Sequence, residues 1–276
     1  LGHDVAGTVI GVGTAVRSFA VGDTVFARVR DHRIGTLTEW IAVDEADVAL
    51  SPASVTLIEA ASLPLVALTA WQALIDKGGV SAGQRVLIHA GAGGVGSIAI
   101  QLAKHLGAFV ATTTSGKNVD FVRSLGADLV IDYQTQNFGD ELTGYDFVLD
   151  SLGGENLATS LRVLRPGGKA IGIAGPPTPE FAREIGMNPL LRLGVGAISR
   201  SIRAQAKKLD VSYEFLFMWA NGAQLRQIAD LVDAGTIRPI VGATYSFEHT
   251  PEALAALHVG GIRGKSVVIG AEATDS

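Results

Sequence analysis

The sequence predicts an α/β protein: a doubly wound parallel sheet joined to a smaller β-rich domain. Three observations carry that prediction. Between residues 64 and 240, short apolar runs alternate with helical runs. A glycine-rich turn stands where one of those apolar runs, "RVLIHA", gives way to a helix. The two chain ends, 1–63 and 241–276, are instead turn-rich and strand-like.

The elements follow in order. In residues 1–63, "VAGTVIGVG", "GDTVFARV" and "LTEWIAVD" alternate apolar with polar residues and carry β-branched side chains, so each is expected as a strand, with "VGD" as a turn. In the middle zone, "RVLIHA" is followed by the helix "SIAIQLAKHLG", the strand "AFVATTT", the helix "NVDFVRSLG", and the strands "DLVIDY" and "YDFVLDSLG". The helix "NLATSLRVL", the turn "RPGG" and the strand "KAIGIAG" come next. Apolar strands separated by helices imply a parallel sheet covered on both faces, and right-handed crossovers make it doubly wound. Residues 175–211 are long for a connection and carry apolar and basic residues at helical spacing; they read equally as a lid or as a structural amphipathic hairpin. "VSYEFLFM" reads as a strand and "GAQLRQIADLVDAG" as a helix. The last zone gives the strand "VGATYSF", the helix "TPEALAAL" and the strand "KSVVIG". Its character matches that of the first zone, so the two ends are expected to build one domain (1–63 and 241–276) around another (64–240).

Composition narrows the function. Of 276 residues, 47% are hydrophobic and 18% charged, enough to bury a core and inconsistent with disorder. Apolar runs are interrupted before ~18 positions, so no spanning helix is expected. The net charge is −5 with no basic tract, which argues against nucleic acid as a partner. There is no cysteine, which removes disulfides, thiolate nucleophiles and cysteine-type zinc sites, and suits a reducing cytoplasm. The chain opens on Leu1 inside a strand pattern, so a preceding segment is expected.

"HAGAGGVGSIAIQLAK" carries Gly91, Gly93 and Gly96 in G-x-G-x-x-G spacing, with Ala92, Gly94 and Val95 between them. Alone that spacing is weak. Here it follows an expected strand and opens an expected helix, the setting in which the first glycine makes a tight turn, the second admits a pyrophosphate and the third lets helix pack on strand. The helix N-terminus then offers free N–H groups to phosphate. The competing reading is a purely structural turn. At the end of the second strand, where an NAD site holds a carboxylate, the sequence reads "TTTSGKN". Thr113, Thr114 and Ser115 supply hydroxyls and Lys117 a cation. A hydrogen bond to a charged group contributes roughly 1.5–3 kcal/mol, about 10- to 150-fold, so the expected cofactor is NADPH. Lys117 also reads as an ordinary solvated lysine.

Together these stretches resemble the medium-chain dehydrogenase/reductase superfamily, and within it the zinc-free quinone oxidoreductase and enone reductase branch. The matching motifs are "GHDVAGTVIGVGTAVRSFAVGDTV", "LPLVALTAWQAL", "HAGAGGVGSIAIQLAK", "LGADLVIDY", "VLDSLGG", "LRPGGKAIGIAG" and "GKSVVIG". The resemblance implies a Rossmann-like nucleotide-binding domain (64–240) and a GroES-like catalytic domain made from both ends. It also implies that Thr69, Ser151, Ala174, Gly175 and the backbone of Phe215, Leu216 and Phe217 lie along the nicotinamide half of the cofactor. Lys117 and Tyr133 would approach the 2′-phosphate, and Lys265 would close the cleft. Tyr133 as a strand cap and the Phe pair as plain core are the competing readings. In zinc-bearing relatives the Gly-His-Glu motif supplies one ligand and a cysteine four residues before the Thr of "LVALT" another. Here His3 stands at the first position and Leu65 at the second, so His3 is expected to pack or hydrogen-bond rather than hold a metal. His89 is expected to be structural, and His32, His105, His249 and His258 are dispersed with no triad spacing.

A nicotinamide cofactor delivers hydride, and without a Lewis acid a conjugated carbonyl or quinone is the easier acceptor. The resemblance therefore implies a zinc-independent NADPH oxidoreductase of small electrophiles, quinones or α,β-unsaturated carbonyls, acting as a homodimer. Two readings compete with it: an enoyl thioester reductase using Arg192, Arg200, Arg203, Lys207 and Lys208, and an NADPH-binding protein without catalysis. No catalytic side chain is assigned.

Overall fold

A computed structural model describes residues 1–31 and 35–270; His32 lies outside them. Packing divides the chain into two compact units, Leu1–Leu68 with Gly93–Ile98 and Met218–Ser276, and Thr69–Ala92 with Ala99–Phe217.

The first unit opens with β1 (Asp4–Thr8), β2 (Thr24–Arg28) and β3 (Val48–Leu50), an antiparallel sheet in that order. Phe26 pairs with both Ala6 and Ala49 and is fully buried. The short helix α1 (Leu57–Ala61) is fixed by a capping box, in which Thr56 accepts from Glu59 N–H and the Glu59 carboxylate accepts from Thr56 N–H. Helix α2 (Pro64–Trp71) follows and runs into a π-helical turn, Gln72–Lys77. The strand expected for "LTEWIAVD" does not form. Its alternation is present, but the free side of β2 is taken by Val48–Leu50, and Asp44 instead caps a 3-10 turn, Glu45–Asp47.

The second unit alternates strands and helices: β4 (Arg85–Ile88), α3 (Gly94–His105), β5 (Phe109–Thr114), α4 (Val119–Ser124), β6 (Leu129–Asp132), α5 (Phe138–Glu141), β7 (Tyr145–Asp150), α6 (Gly154–Val163) and β8 (Leu164–Gly172). The insert 175–211 is three helices, α7 (Pro179–Glu184), α8 (Pro189–Ile198) and α9 (Arg200–Lys208). Then comes β9 (Ser212–Phe215), shorter than the expected run because Leu216 onward leaves the ladder. The six strands are parallel in the order β6-β5-β4-β7-β8-β9, the doubly wound order, with β9 at one edge. Val86, Leu87, Ile88, Val110, Ala111, Val148 and Ile171 are fully buried, which explains why these strands read as unbroken apolar runs. Each such Leu, Ile or Val contributes about 1.5–3 kcal/mol by burial.

The chain then returns to the first unit. Helix α10 (Gly222–Asp233) packs on β3, so closely that a Cβ on Gly222 would overlap the Val48 carbonyl. β10 (Val241–Ser246), α11 (Thr250–Val259) and β11 (Lys265–Ile269) form a parallel pair with its crossover helix. Among the described residues no helix is long and apolar enough to cross a membrane.

Candidate functional site

Register aligns the carboxyl ends of the second unit's strands. Ile88 pairs with Thr112 and Leu149, Thr114 with Asp132, and Gly172 with Asp150 and Phe215. Strand order reverses between β4 and β7, and the crevice at such a switch is where open α/β sheets bind their ligands. The sequence-predicted residues beyond Thr69 and Lys265 fall along this row.

β4 ends in the glycine turn. Ala90 has φ 52°, a left-handed conformation rare for a residue with a side chain. Gly91 must be glycine: a Cβ there would overlap Thr112 Oγ1 and stand 3.0 Å from Ile100 Cδ1. Gly91 N–H donates to Thr113 O at 2.9 Å, holding the turn to β5. Ala92, Gly93, Gly94, Val95 and Gly96 continue into α3, twelve residues long with no acidic residue in its first turn. This turn fits a dinucleotide pyrophosphate: its backbone approaches without side chains, and the first N–H groups of α3 meet no carboxylate of their own helix.

β5 and β6 end beside each other. Thr113, Thr114 and Ser115 are buried, whereas Lys117 and Tyr133 are exposed, Tyr133 at 62%. Thr113 has a different role from the one expected. Its hydroxyl accepts from Ala90 N–H at 3.2 Å and bonds His89 Nδ1 at 3.0 Å, so it is committed inside the fold. A carboxylate not expected from the sequence is present beside this end: Asp132, the last residue of β6. A Cβ on Gly116 would lie 2.7 Å from its Oδ2.

On the other flank, Ser151 Oγ lies 3.5 Å from the His89 carbonyl. Gly153 approaches Ala174, whose carbonyl would stand 2.7 Å from an added Cβ, and a Cβ on Gly175 would overlap the Tyr213 hydroxyl. Tyr213 donates to Pro176 O at 2.9 Å; burial, then the Asp150 charge, holds its phenol above the ordinary range. Leu216 is buried and donates its N–H to Gly172 O at 2.9 Å. Phe215 and the half-exposed Phe217 gather around Phe181 of α7, with ring centroids 5.0 and 6.3 Å away. Phe181 was not singled out from the sequence, because nothing in the insert's pattern distinguishes it from an amphipathic stripe. Thr69 is buried on α2.

Beneath the crevice lies a polar chain. His89 Nε2 bonds Ser160 Oγ at 2.9 Å, and Ser160 Oγ lies 3.1 Å from Asp150 Oδ2. Asp150 Oδ1 accepts from Leu152 N–H at 3.1 Å and Gly153 N–H at 2.7 Å. The His89 and Asp150 side chains are fully buried, and Phe138 meets the imidazole edge-on at 4.6 Å. Burial pushes the His89 pKa down to about 4, with Asp150 pulling the other way, so the ring is neutral at neutral pH.

In the first unit, Asp4 is the hub. Its Oδ1 accepts from Leu65 N–H at 2.8 Å, at the start of α2, and its Oδ2 accepts from Lys265 Nζ at 3.0 Å. Lys265 follows Gly264, which forms a parallel bridge with Gly93, and its Cδ would lie 3.2 Å from a Cβ on Gly94. Lys265 therefore stands beside Gly93 and Gly94 with its ammonium bound to Asp4. His3 Nδ1 is buried and makes no hydrogen bond among the described residues. Burial and then the Arg28 guanidinium hold this imidazole below its ordinary range, while Asp4 and Asp31 oppose them. These residues do not fit a metal. Leu65 offers no donor atom, Arg28 and Lys265 set positive charge near His3, and among the described residues no three His, Cys, Asp or Glu side chains converge.

Fold and site define a nicotinamide-dependent oxidoreductase, and comparison with known proteins agrees. Residues 125–268 match the family described as zinc-binding dehydrogenase, and residues 1–53 match the alcohol dehydrogenase GroES-like domain. The chain is 38% identical to the mitochondrial NAD(P)H oxidoreductase RTN4IP1 of Mus musculus over 97% of its own length and 69% of that protein's. It is 34% identical to the chloroplastic NADPH-dependent alkenal/one oxidoreductase of Arabidopsis thaliana, covering 97% of this chain and 63% of the relative. The quinone oxidoreductase of Coxiella burnetii superposes with a TM-score of 0.83 at 29% identity, covering 97% and 78% of the two chains. The chain belongs to the medium-chain dehydrogenase/reductase superfamily, in its quinone oxidoreductase and enone reductase branch.

Proposed function

We propose that this protein is an NADPH-dependent reductase of quinones or α,β-unsaturated carbonyl compounds that works without a metal. The observation that carries the reading is the pairing of a phosphate-binding turn with a Gly-His-Asp motif whose carboxylate is spent on Leu65 N–H and Lys265. The reduced dinucleotide, when bound, supplies a hydride. Gly91 to Gly96 and the first N–H groups of α3 would hold its pyrophosphate. Ser115, Lys117 and Tyr133, at the ends of β5 and β6, would meet the 2′-phosphate. Ser151, Ala174, Gly175 and the backbone of Phe215 to Phe217 would orient the nicotinamide half, and the Phe181 cluster would exclude water from it. An acceptor whose charge spreads over a conjugated system needs less help from the protein than a plain carbonyl, and hydrogen-bond donors suffice for its oxygen.

The printed names of the relatives, an alkenal/one oxidoreductase and a quinone oxidoreductase, support this acceptor class. A cysteine-free chain suits the cytoplasm or an organelle matrix alike; the names of two relatives place those proteins in the mitochondrion and the chloroplast. Edge strand β9 supplies the surface for a two-fold dimer, which gel filtration tests. A second reading, enoyl thioester reduction, is favoured by α8 and α9, which carry Arg192, Arg200, Arg203, Lys207 and Lys208 and no acidic residue.

Stopped-flow mixing of NADPH-loaded protein with quinones, enones and an enoyl thioester separates the readings. Loss of the reduced-nicotinamide absorbance with quinones or enones supports the first. Loss with the thioester alone supports the second, and no loss with any acceptor leaves a binding protein.

A further inference from the structure

The buried chain under the crevice has no part in the chemistry proposed above, and its geometry is specific. It joins the turn after β4 to the turn after β7, the two strands flanking the point where strand order reverses. One proton arrangement serves both ends, with the Ser160 hydroxyl shared between Asp150 Oδ2 at 3.1 Å and the Asn156 carbonyl of its own helix at 2.8 Å. Asp150, fully buried and accepting from two backbone N–H groups at Oδ1, needs a donor at Oδ2, and Ser160 is the hydroxyl within reach. Ser160 then accepts from His89 Nε2–H, which makes Nδ1 the acceptor for the Thr113 hydroxyl. Thr113 in turn accepts from Ala90 N–H. A neutral imidazole is required throughout, as its burial dictates. Ser, His and Asp are thus brought together, but with serine in the middle and every member buried, so this is no hydrolytic triad.

We infer that Thr113, His89, Ser160 and Asp150 are positioning residues for the dinucleotide, coupling the Ala90–Gly91 turn to the Leu152–Gly153 turn so that both sides of the crevice are held at one spacing. Two features of the turns require such a clamp. Ala90 is left-handed, a conformation that costs of order 1–3 kcal/mol and persists only when its surroundings impose it. Thr113 imposes it twice, through its hydroxyl on Ala90 N–H and its carbonyl on Gly91 N–H. On the far side, Gly153 (φ 69°) is fixed by the Asp150 carboxylate. The chain therefore runs from the strained Ala90 turn to the positive-φ turn at Gly153 through four side chains, and its ends are the groups that would face pyrophosphate and nicotinamide. The inference rests on the cofactor reading above.

The test is isothermal titration calorimetry of the full chain with NADPH and with adenosine 2′,5′-bisphosphate, which carries the adenosine end but lacks the pyrophosphate bridge and the nicotinamide. Thr113→Val keeps the shape and removes the hydroxyl. It is expected to weaken NADPH about tenfold while adenosine 2′,5′-bisphosphate stays within about twofold of wild type, and Thr113→Ser is expected to restore most of the loss. Ser160→Ala, which cuts the chain at its centre, should shift the two ligands in the same unequal way. Should Thr113→Val not fold, the comparison is made in an Ala90→Gly background, where the strain is relieved and the penalty on NADPH should shrink to about threefold. Equal weakening of both ligands, unchanged NADPH affinity, or no recovery with Thr113→Ser would overturn the inference. A wild-type protein that bound neither NADPH nor NADH would instead remove the cofactor reading on which it rests.

Discussion

Replacing Gly91 by alanine adds one methyl group where the fold has no room. The new Cβ overlaps Thr112 Oγ1, stands 3.0 Å from Ile100 Cδ1 and 3.1 Å from Thr112 Cγ2, and both neighbours are fully buried. The Thr112 hydroxyl cannot swing away freely, because it donates to Ile88 O at 2.6 Å. Gly91 is not in the left-handed region, so the cost is steric: about 1–3 kcal/mol, the usual range for overpacking a core. Thr112→Ala removes the obstructing hydroxyl and methyl and costs about 1 kcal/mol for the hydrogen bond. The double variant should then lose only about 1–2 kcal/mol, against about 2–4 for the sum of the singles, a coupling of about 1–2 kcal/mol. Urea unfolding at constant m-value measures all four corners of the cycle. Additivity within about 0.5 kcal/mol, or a neutral Gly91→Ala, would refute the claim that the turn is held against β5 by close packing.

Other expectations concern charge. The native pKa of His89, about 4, lies below its ordinary 6.5, so as pH falls through this window the unfolded chain takes a proton that the native state refuses. Stability is fully present above about pH 6.5 and should decline by about 3 kcal/mol toward pH 4; His89→Gln should flatten that slope in denaturation curves taken across the window. Lys117→Ala should reduce the preference for NADPH over NADH by about tenfold, the lower end of the range for charged hydrogen bonds because the lysine is exposed. Asp132→Asn should raise that preference by removing a carboxylate beside Gly116; kcat/KM ratios for the two nucleotides check both, and a fall with Asp132→Asn would contradict the placement. Asp4→Ala removes the cap of α2 and the partner of Lys265 together and should destabilise the protein by about 1–2 kcal/mol, read as a lower thermal midpoint.

The sheet was legible because parallel strands covered on both faces leave a simple trace. "RVLI", "FVATTT" and "YDFVLD" each hold consecutive residues that are buried on both faces, and helical stretches separate them. The glycine turn was legible for a steric reason, since Gly91 has no space for a Cβ. "LTEWIAVD" misled because alternation reports a half-buried surface and not a ladder partner. The clamp under the crevice was not legible at all. His89, Thr113 and the Asp150–Ser160 pair come from three separate stretches, and each residue alone is an ordinary type for the end of a strand or the inside of a helix. The run "TTTSGK" points Thr113 toward phosphate, but the hydroxyl is held inside the fold by His89 Nδ1 and Ala90 N–H. Asp132 is not legible as a ribose-side carboxylate because it ends the third strand, whereas the dinucleotide pattern places that group at the end of the second.

The tie between Asp4 and Lys265 spans 261 positions, and this sets an order of events during synthesis. The strands of Leu1–Leu68 leave the ribosome early, yet much of the surface they pack against belongs to Met218–Ser276. At about 5–20 residues per second, those 59 residues take roughly 3–12 s to appear after Phe217. Through that interval Thr69–Phe217 holds most of what its own sheet needs, while the earlier-made strands wait, uncovered, for their partner to be translated.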